Sequence, residues 1–316
     1  MKKQKNKKKW NINLMPRLDG KIFIITGANS GLGFETTRQA VKAGAHVVMA
    51  CRNKQRADKA IERIHAETPR ASVEFMELDL ADLETVRAFA SRAADKLPGI
   101  DVLCNNGGRM VFNYAENSHT KDGFEVHFGT NHLGHFALTG LLFPKMRKAA
   151  RIVTVSSLAH KMGAEIPFGN LLATAPDAFK GYGNSKLANL LFTYELDRRI
   201  RKLGLDMKAV ACHPGFARTG TNNAQSWKAR SGSVWQRKLL LRLAQSAEMG
   251  ALPEIYAATG EDIESGDYIG PTGWMELGGL PGKVRSSRLS HDILTAEKLW
   301  QISGELTGMH FLEQGR

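Results

Sequence analysis

The feature that most limits how this chain can fold is a repeated alternation between short apolar runs and longer amphipathic stretches. From Lys21 onward the runs lie at residues 22–25, 47–50, 73–78, 100–104, 152–155 and 207–212. Between them, apolar residues recur at three- and four-residue spacing over 32–41, 57–64, 83–94, 124–146 and 186–203. Strands that are apolar on both sides belong to a parallel sheet covered by helices on both faces. Right-handed crossovers then give an α/β, Rossmann-type, doubly wound sheet whose ligands sit beyond the carboxyl ends of the strands. No repeat and no Pro/Ser-rich linker divides the body, so residues 18–316 read as a single domain. The alternation breaks after Cys212, and residues 216–245 read as a helical lid insertion carrying Trp227, Trp235 and interleaved arginines.

Charge narrows the partners. The chain carries 44 Lys+Arg against 31 Asp+Glu, a net +13. Seven of those cations (Lys2, Lys3, Lys5, Lys7, Lys8, Lys9 and Arg17) precede the first acid, Asp19. Block charge of this kind usually marks a solvated arm, here residues 1–17, and less often a nucleic-acid or anionic-membrane contact. The body has none of the aromatic-plus-basic motifs that read nucleic acid, so no nucleic-acid partner is expected. Peripheral membrane contact through the tail and self-association into a homo-oligomer stay open. No apolar run approaches the ~20 residues of a membrane-spanning helix, and three cysteines build no disulfide framework. A cytoplasmic protein is the expectation. His132 and His135 share a helix face without a third ligand, so no metal is expected.

After the first strand comes Thr26-Gly27-Ala28-Asn29-Ser30-Gly31-Leu32-Gly33. Glycines let the backbone turn sharply and approach a pyrophosphate, and the helix start that follows offers free N–H groups to its charge. A glycine-rich turn between a strand and a helix is the setting a dinucleotide site requires. At the end of the second strand an acid would hold the ribose 2′-OH of NAD, whereas an arginine accommodates a 2′-phosphate. The chain has Arg52 there and no acid before Asp58, which points to NADP. Asp79 and Leu80 close the third strand, within reach of the adenine. Asn105, Asn106, Gly107 and Gly108 close the fourth, facing the adenosine half.

Tyr182 and Lys186 are four apart on one helix face. A lysine cation there favours the phenolate and lowers a pKa that is ordinarily about 10. Ser157 ends the fifth strand, where a hydroxyl can hold a carbonyl oxygen while Tyr182 supplies its proton. Together with Asn131 and Pro214-Gly215, these residues resemble the short-chain dehydrogenase/reductase family in its classical form, from about Leu18 to the C-terminus. The stretches Asn131-His132-Leu133-Gly134-His135-Phe136 and Asn184-Ser185-Lys186-Leu187-Ala188-Asn189 look most like the retinol dehydrogenases and related reductases.

The resemblance implies a tetrad. Tyr182 would be the general acid/base and Ser157 would orient the substrate oxygen, with Ser156 a competing serine. Lys186 would bind the nicotinamide ribose and lower the tyrosine pKa, and Asn131 would hold a relay water. Thr219 would lie near the nicotinamide end of the cofactor. Two positions depart from the pattern: Gly107 stands where the family usually has alanine, and the lysine-rich tail is not the membrane helix that retinol dehydrogenases usually carry. The implied activity is NADPH-dependent reduction of a lipophilic aldehyde or ketone. The alternative is a catalytically silent NADP-binding sensor, which would have no need of Ser157, Tyr182 and Lys186.

Overall fold

Seven strands pair in parallel: β1 (Ile22–Thr26), β2 (His46–Cys51), β3 (Ser72–Glu77), β4 (Ile100–Asn105), β5 (Met146–Val155), β6 (Lys208–Cys212) and β7 (Tyr268–Pro271). An eighth, β8 (Pro281–Lys283), runs antiparallel to β7, and the sheet order is β3-β2-β1-β4-β5-β6-β7-β8. The structure is a computed structural model that describes residues 10–112, 114, 118–175, 177–217 and 244–313. Seven helices flank the sheet among those residues: α1 (Gly31–Lys42), α2 (Lys54–Glu67), α3 (Leu83–Lys96), α4 (Gly134–Leu142), α5 (Ala178–Lys202), α6 (Ala247–Thr259) and α7 (Ile293–Thr307).

The strand period explains the unbroken apolar runs. Ile22 and Ile24 of β1 enter a core with Phe89 of α3, Phe136 of α4, Leu191 of α5 and Trp300 of α7. Phe23 and Ile25 enter the opposite core with Phe34 of α1, Ile64 of α2 and Ile255 of α6. Neighbouring side chains point to opposite faces, and both faces are dry. None of the described helices is long and apolar enough to cross a membrane.

Three segments differ from the sequence expectation. Residues 124–146 are not one helix. A π-helix (Phe128–Leu133) leads into α4, Pro144 lies in the short turn that follows, and Met146 already belongs to β5. Helix α5 begins eight residues before Lys186, at Ala178, because the Asp177 carboxylate caps it by accepting from the Lys180 N–H at 2.7 Å. The third difference is the start of the body. Trp10 is 7% exposed and stacks on Tyr256 of α6 with ring centroids 4.8 Å apart, and Ile12 and Met15 pack on the same core. The fold therefore includes residues 10–17, which the charge pattern had assigned to the tail; residues 1–9 and most of the 216–245 lid lie outside the described residues.

Burial of Trp10 carries a measurable consequence. Trp10→Ala is expected to cost about 3 kcal/mol, the low end for removing a buried aromatic. Denaturant titration of the full chain reads this as a lower midpoint, and an unchanged midpoint would contradict the packing.

Candidate active site

Strand order reverses between β1 and β4, and a cavity of about 650 Å³ opens at the carboxyl ends of the strands there. Its first wall is the turn from β1 into α1. Gly27 and Gly31 have φ of +66° and +56°, where a side chain would be strained. A Cβ on Gly33 would sit 2.5 Å from Asn106 Nδ2 and 2.7 Å from the Gly27 carbonyl oxygen, so only glycine lets these segments close up. Ser30 precedes α1 with extended backbone and makes no side-chain cap bond. Ser30, Gly31, Leu32 and Gly33 all line the cavity, so the first-turn N–H groups of α1 open onto it. That is a cradle for a pyrophosphate.

The second wall is cationic. Arg52, exposed at the end of β2, places Nη1 3.5 Å from Asp79. Arg56, one turn into α2, and Arg109, in the loop after β4, line the same cavity. Sequence reasoning missed both. Neither belongs to a motif, and only the fold brings the three segments together. Asp79 does not cap α3, since Asp82 does so by accepting from Glu84 N–H at 3.0 Å. One Asp79 oxygen accepts from Ala81 N–H and the other faces Arg52. Leu80 and Gly107 line the cavity, and the Gly107 N–H donates to the Thr26 hydroxyl at 2.7 Å. Asn105 does not line it: the side chain is buried and donates to Thr139 at 3.0 Å. Asn106 takes the position at the cavity, donating to the Thr26 carbonyl at 2.6 Å.

The third wall holds the reactive groups. Tyr182 and Lys186 lie one turn apart on α5, with Lys186 Nζ 5.7 Å from the phenol ring centre. Gly181 and Gly183 let this helix approach closely, since a Cβ on Gly181 would meet the Tyr114 hydroxyl at 2.1 Å. Lys186 Nζ donates to the Val155 carbonyl at 3.0 Å, and burial lowers the ammonium to about 8. The Ser157 hydroxyl, which accepts from the Ala159 N–H at 3.2 Å, lines the same wall as the Tyr182 phenol and favours its ionised form. Both serines line the cavity, but Ser156 is buried and its hydroxyl donates to the Lys186 carbonyl at 2.8 Å, which leaves Ser157 the hydroxyl not committed to α5. The electrostatics correct one expectation. Burial raises the Tyr182 pKa, the Ser157 side chain opposes that rise, and Lys186 is not among the groups that lower it.

Asn131 is fully buried in the π-helix, a distortion frequent at functional sites. Its Oδ1 accepts from Arg109 N–H at 2.7 Å, and its Nδ2 donates to the Arg109 carbonyl and to Ser185 Oγ, each at 3.0 Å. His135 contacts the Asn131 carbonyl and the Thr26 hydroxyl, each at 2.9 Å, and His132 contacts Ser303 at 2.8 Å. Both histidines are engaged in core hydrogen bonds. Pro214 and Gly215 line the cavity after β6, with Gly215 at φ +63° and its N–H donated to His213 Nδ1 at 3.2 Å. Thr219 lies outside the described residues.

The sequence profile described as short chain dehydrogenase matches residues 21–230. The chain belongs to the short-chain dehydrogenase family. This dehydrogenase is 38% identical to retinol dehydrogenase 12 of Mus musculus over 302 residues, 93% of this chain and 89% of that protein. It is 36% identical to retinol dehydrogenase 11 of Homo sapiens over 300 residues, 93% of this chain and 87% of that one. An uncharacterized protein from Mycobacterium paratuberculosis has the same fold, with a TM-score of 0.78 and 38% identity, covering 96% of this chain and 99% of that chain. A short-chain dehydrogenase from Shigella flexneri, solved with NADP, shares the fold at a TM-score of 0.63 and 20% identity, covering 80% of this chain and 98% of that chain. This dehydrogenase is an oxidoreductase that acts on CH–OH and C=O groups.

Proposed function

We propose that this dehydrogenase reduces a lipophilic aldehyde or ketone with NADPH. The observation that carries the reading is the convergence of Ser157, Tyr182 and Lys186 on one wall of a cavity shared with the glycine turn. The glycine turn and first-turn N–H groups of α1 hold the pyrophosphate, and Asp79, Leu80, Asn106 and Gly107 border the adenosine half. Lys186 holds the nicotinamide ribose. Bound NADPH supplies a hydride at the nicotinamide. Ser157 orients the carbonyl oxygen, Tyr182 donates the proton to it, and Asn131 supports the relay from the π-helix. Leu158, Met162, Phe179, Phe216 and Leu277 line the rest of the cavity, an apolar surface suited to a hydrocarbon-rich substrate. Relatives named as retinol dehydrogenases make retinoid aldehydes a sensible part of a substrate panel.

NADP is preferred over NAD on this reading because Arg52 stands where an acid would select NAD. A charge-assisted bond to phosphate is worth about 1.5–3 kcal/mol, roughly one to two decades in affinity. Fluorescence titration is expected to find NADPH at least about tenfold tighter than NADH, with Arg52→Ala removing most of the difference. Equal affinities in the unmodified protein would contradict the assignment.

A further inference from the structure

Arg109 stands out among the cations of the cavity because its backbone is fixed on both sides. The Asn131 side chain accepts from its N–H and donates to its carbonyl, at 2.7 and 3.0 Å. Its guanidinium is half-buried and close enough to Arg52 for the two charges to oppose each other, with Asp79 the one acid acting on it in the other direction. Among the described residues neither Arg56 nor Arg109 forms an ion pair with a carboxylate. Arg109 is half-buried and Arg52 exposed at the mouth of the same cavity; their like charges oppose each other, and a dianion placed between them turns that repulsion into attraction.

We infer that Arg109 is a second cation of the 2′-phosphate subsite, a specificity-determining residue that Asn131 positions. The inference rests on the NADP reading above. Cofactor choice is then made by three segments at once: the end of β2 through Arg52, the first turn of α2 through Arg56, and the loop after β4 through Arg109. The third is bolted to the π-helix that neighbours the tyrosine, since Asn131 also donates to Ser185 and the Ser185 hydroxyl donates to the Tyr182 carbonyl at 2.7 Å. Asn131 therefore acts on the phosphate through Arg109, although it does not itself line the cavity.

The probes are adenosine 2′,5′-bisphosphate and adenosine 5′-monophosphate, which differ only in the 2′-phosphate and do not reach the nicotinamide pocket. Calorimetric titration of the full chain is expected to show Arg109→Gln losing about tenfold or more in affinity for the bisphosphate, with affinity for the monophosphate within about twofold of the unmodified protein. Asn131→Asp, which keeps the acceptor and loses the donor, is expected to weaken the bisphosphate in the same direction. A merely structural role for Asn131 would not discriminate between the two probes. If Arg109→Gln lowers both probes equally, Arg109 contacts the shared adenosine 5′-phosphate and the inference is overturned; if it lowers neither, it is overturned as well. If the unmodified protein binds the bisphosphate no more tightly than the monophosphate, the NADP reading itself falls. A preference that survives Arg109→Gln overturns this inference alone.

Discussion

Tyr182→Phe is expected to lower kcat by about three orders of magnitude, within the range for loss of a general acid, while NADPH affinity stays within about twofold. The phenol is assigned to the substrate oxygen, so its removal takes away an interaction made in the transition state and leaves cofactor contacts in place. Burial raises the phenol pKa, which keeps the proton on Tyr182 at neutral pH. The alkoxide that forms when a carbonyl accepts hydride is more basic still, so donation from a raised phenol remains downhill. Steady-state kinetics with a saturating aldehyde, beside a cofactor titration, check both halves. A variant with near-normal kcat would remove Tyr182 from the chemistry.

Lys186→Ala is expected to damage cofactor binding and turnover together, by about two orders of magnitude in kcat/KM. Its ammonium is buried, donates to Val155, and sits under the phenol ring. Loss of the side chain leaves the Val155 carbonyl one donor poorer and removes the proposed grip on the ribose. The pH dependence separates this lysine from a structural one. Burial depresses its pKa to about 8, so the cation is present below that pH and is lost as pH rises through it. NADPH affinity of the unmodified protein should therefore fall above about pH 8, and Lys186→Ala should show no such fall in that window. A parallel fall in both proteins would assign the titration to another group.

Much of this architecture is written in the chain as periodicity. Strands β1, β2, β4, β6 and the end of β5 announce themselves because both faces are dry, so most of each run is apolar. Strand β3, at the sheet edge, is partly exposed and keeps Glu74 and Glu77 in its run. The later elements give no such signal. Strand β7 is four residues ending in Gly270 and Pro271, which read as a turn until pairing with β6 gives them a ladder. Helix α6 is buried on every side from Gly250 to Thr259 and contains Pro253, so it has no polar face to mark a helical period. The first turns of α5 carry two glycines, poor helix formers kept there because neighbouring segments touch the backbone.

The site divides in the same way. Tyr182, Lys186 and Ser157 are legible because their roles demand fixed offsets: one helical turn, and the end of one strand. Arg52 is legible because the second strand's end is a known decision point for the cofactor. Arg56 and Arg109 have no offset to obey, and the fold alone gathers them. Asn105 illustrates the converse. Two adjacent asparagines end β4, and strand alternation, which no motif states, turns the first toward Thr139 and leaves the second at the cavity. The burial of Trp10 was hidden by its lysine neighbours, since a charge count over a segment does not see one aromatic that finds a partner on a distant helix.

The most direct test of the account follows the hydride itself. The full chain is incubated with NADPH carrying deuterium at nicotinamide C4, in each stereochemical form, and a panel of lipophilic aldehydes and ketones that includes retinaldehyde. The expected result is an alcohol product bearing one deuterium on its carbinol carbon from one of the two labelled forms, with Tyr182→Phe forming it about a thousandfold more slowly. Tight NADPH binding with no deuterium delivered to any carbonyl in the panel would contradict it and favour a cofactor-binding sensor.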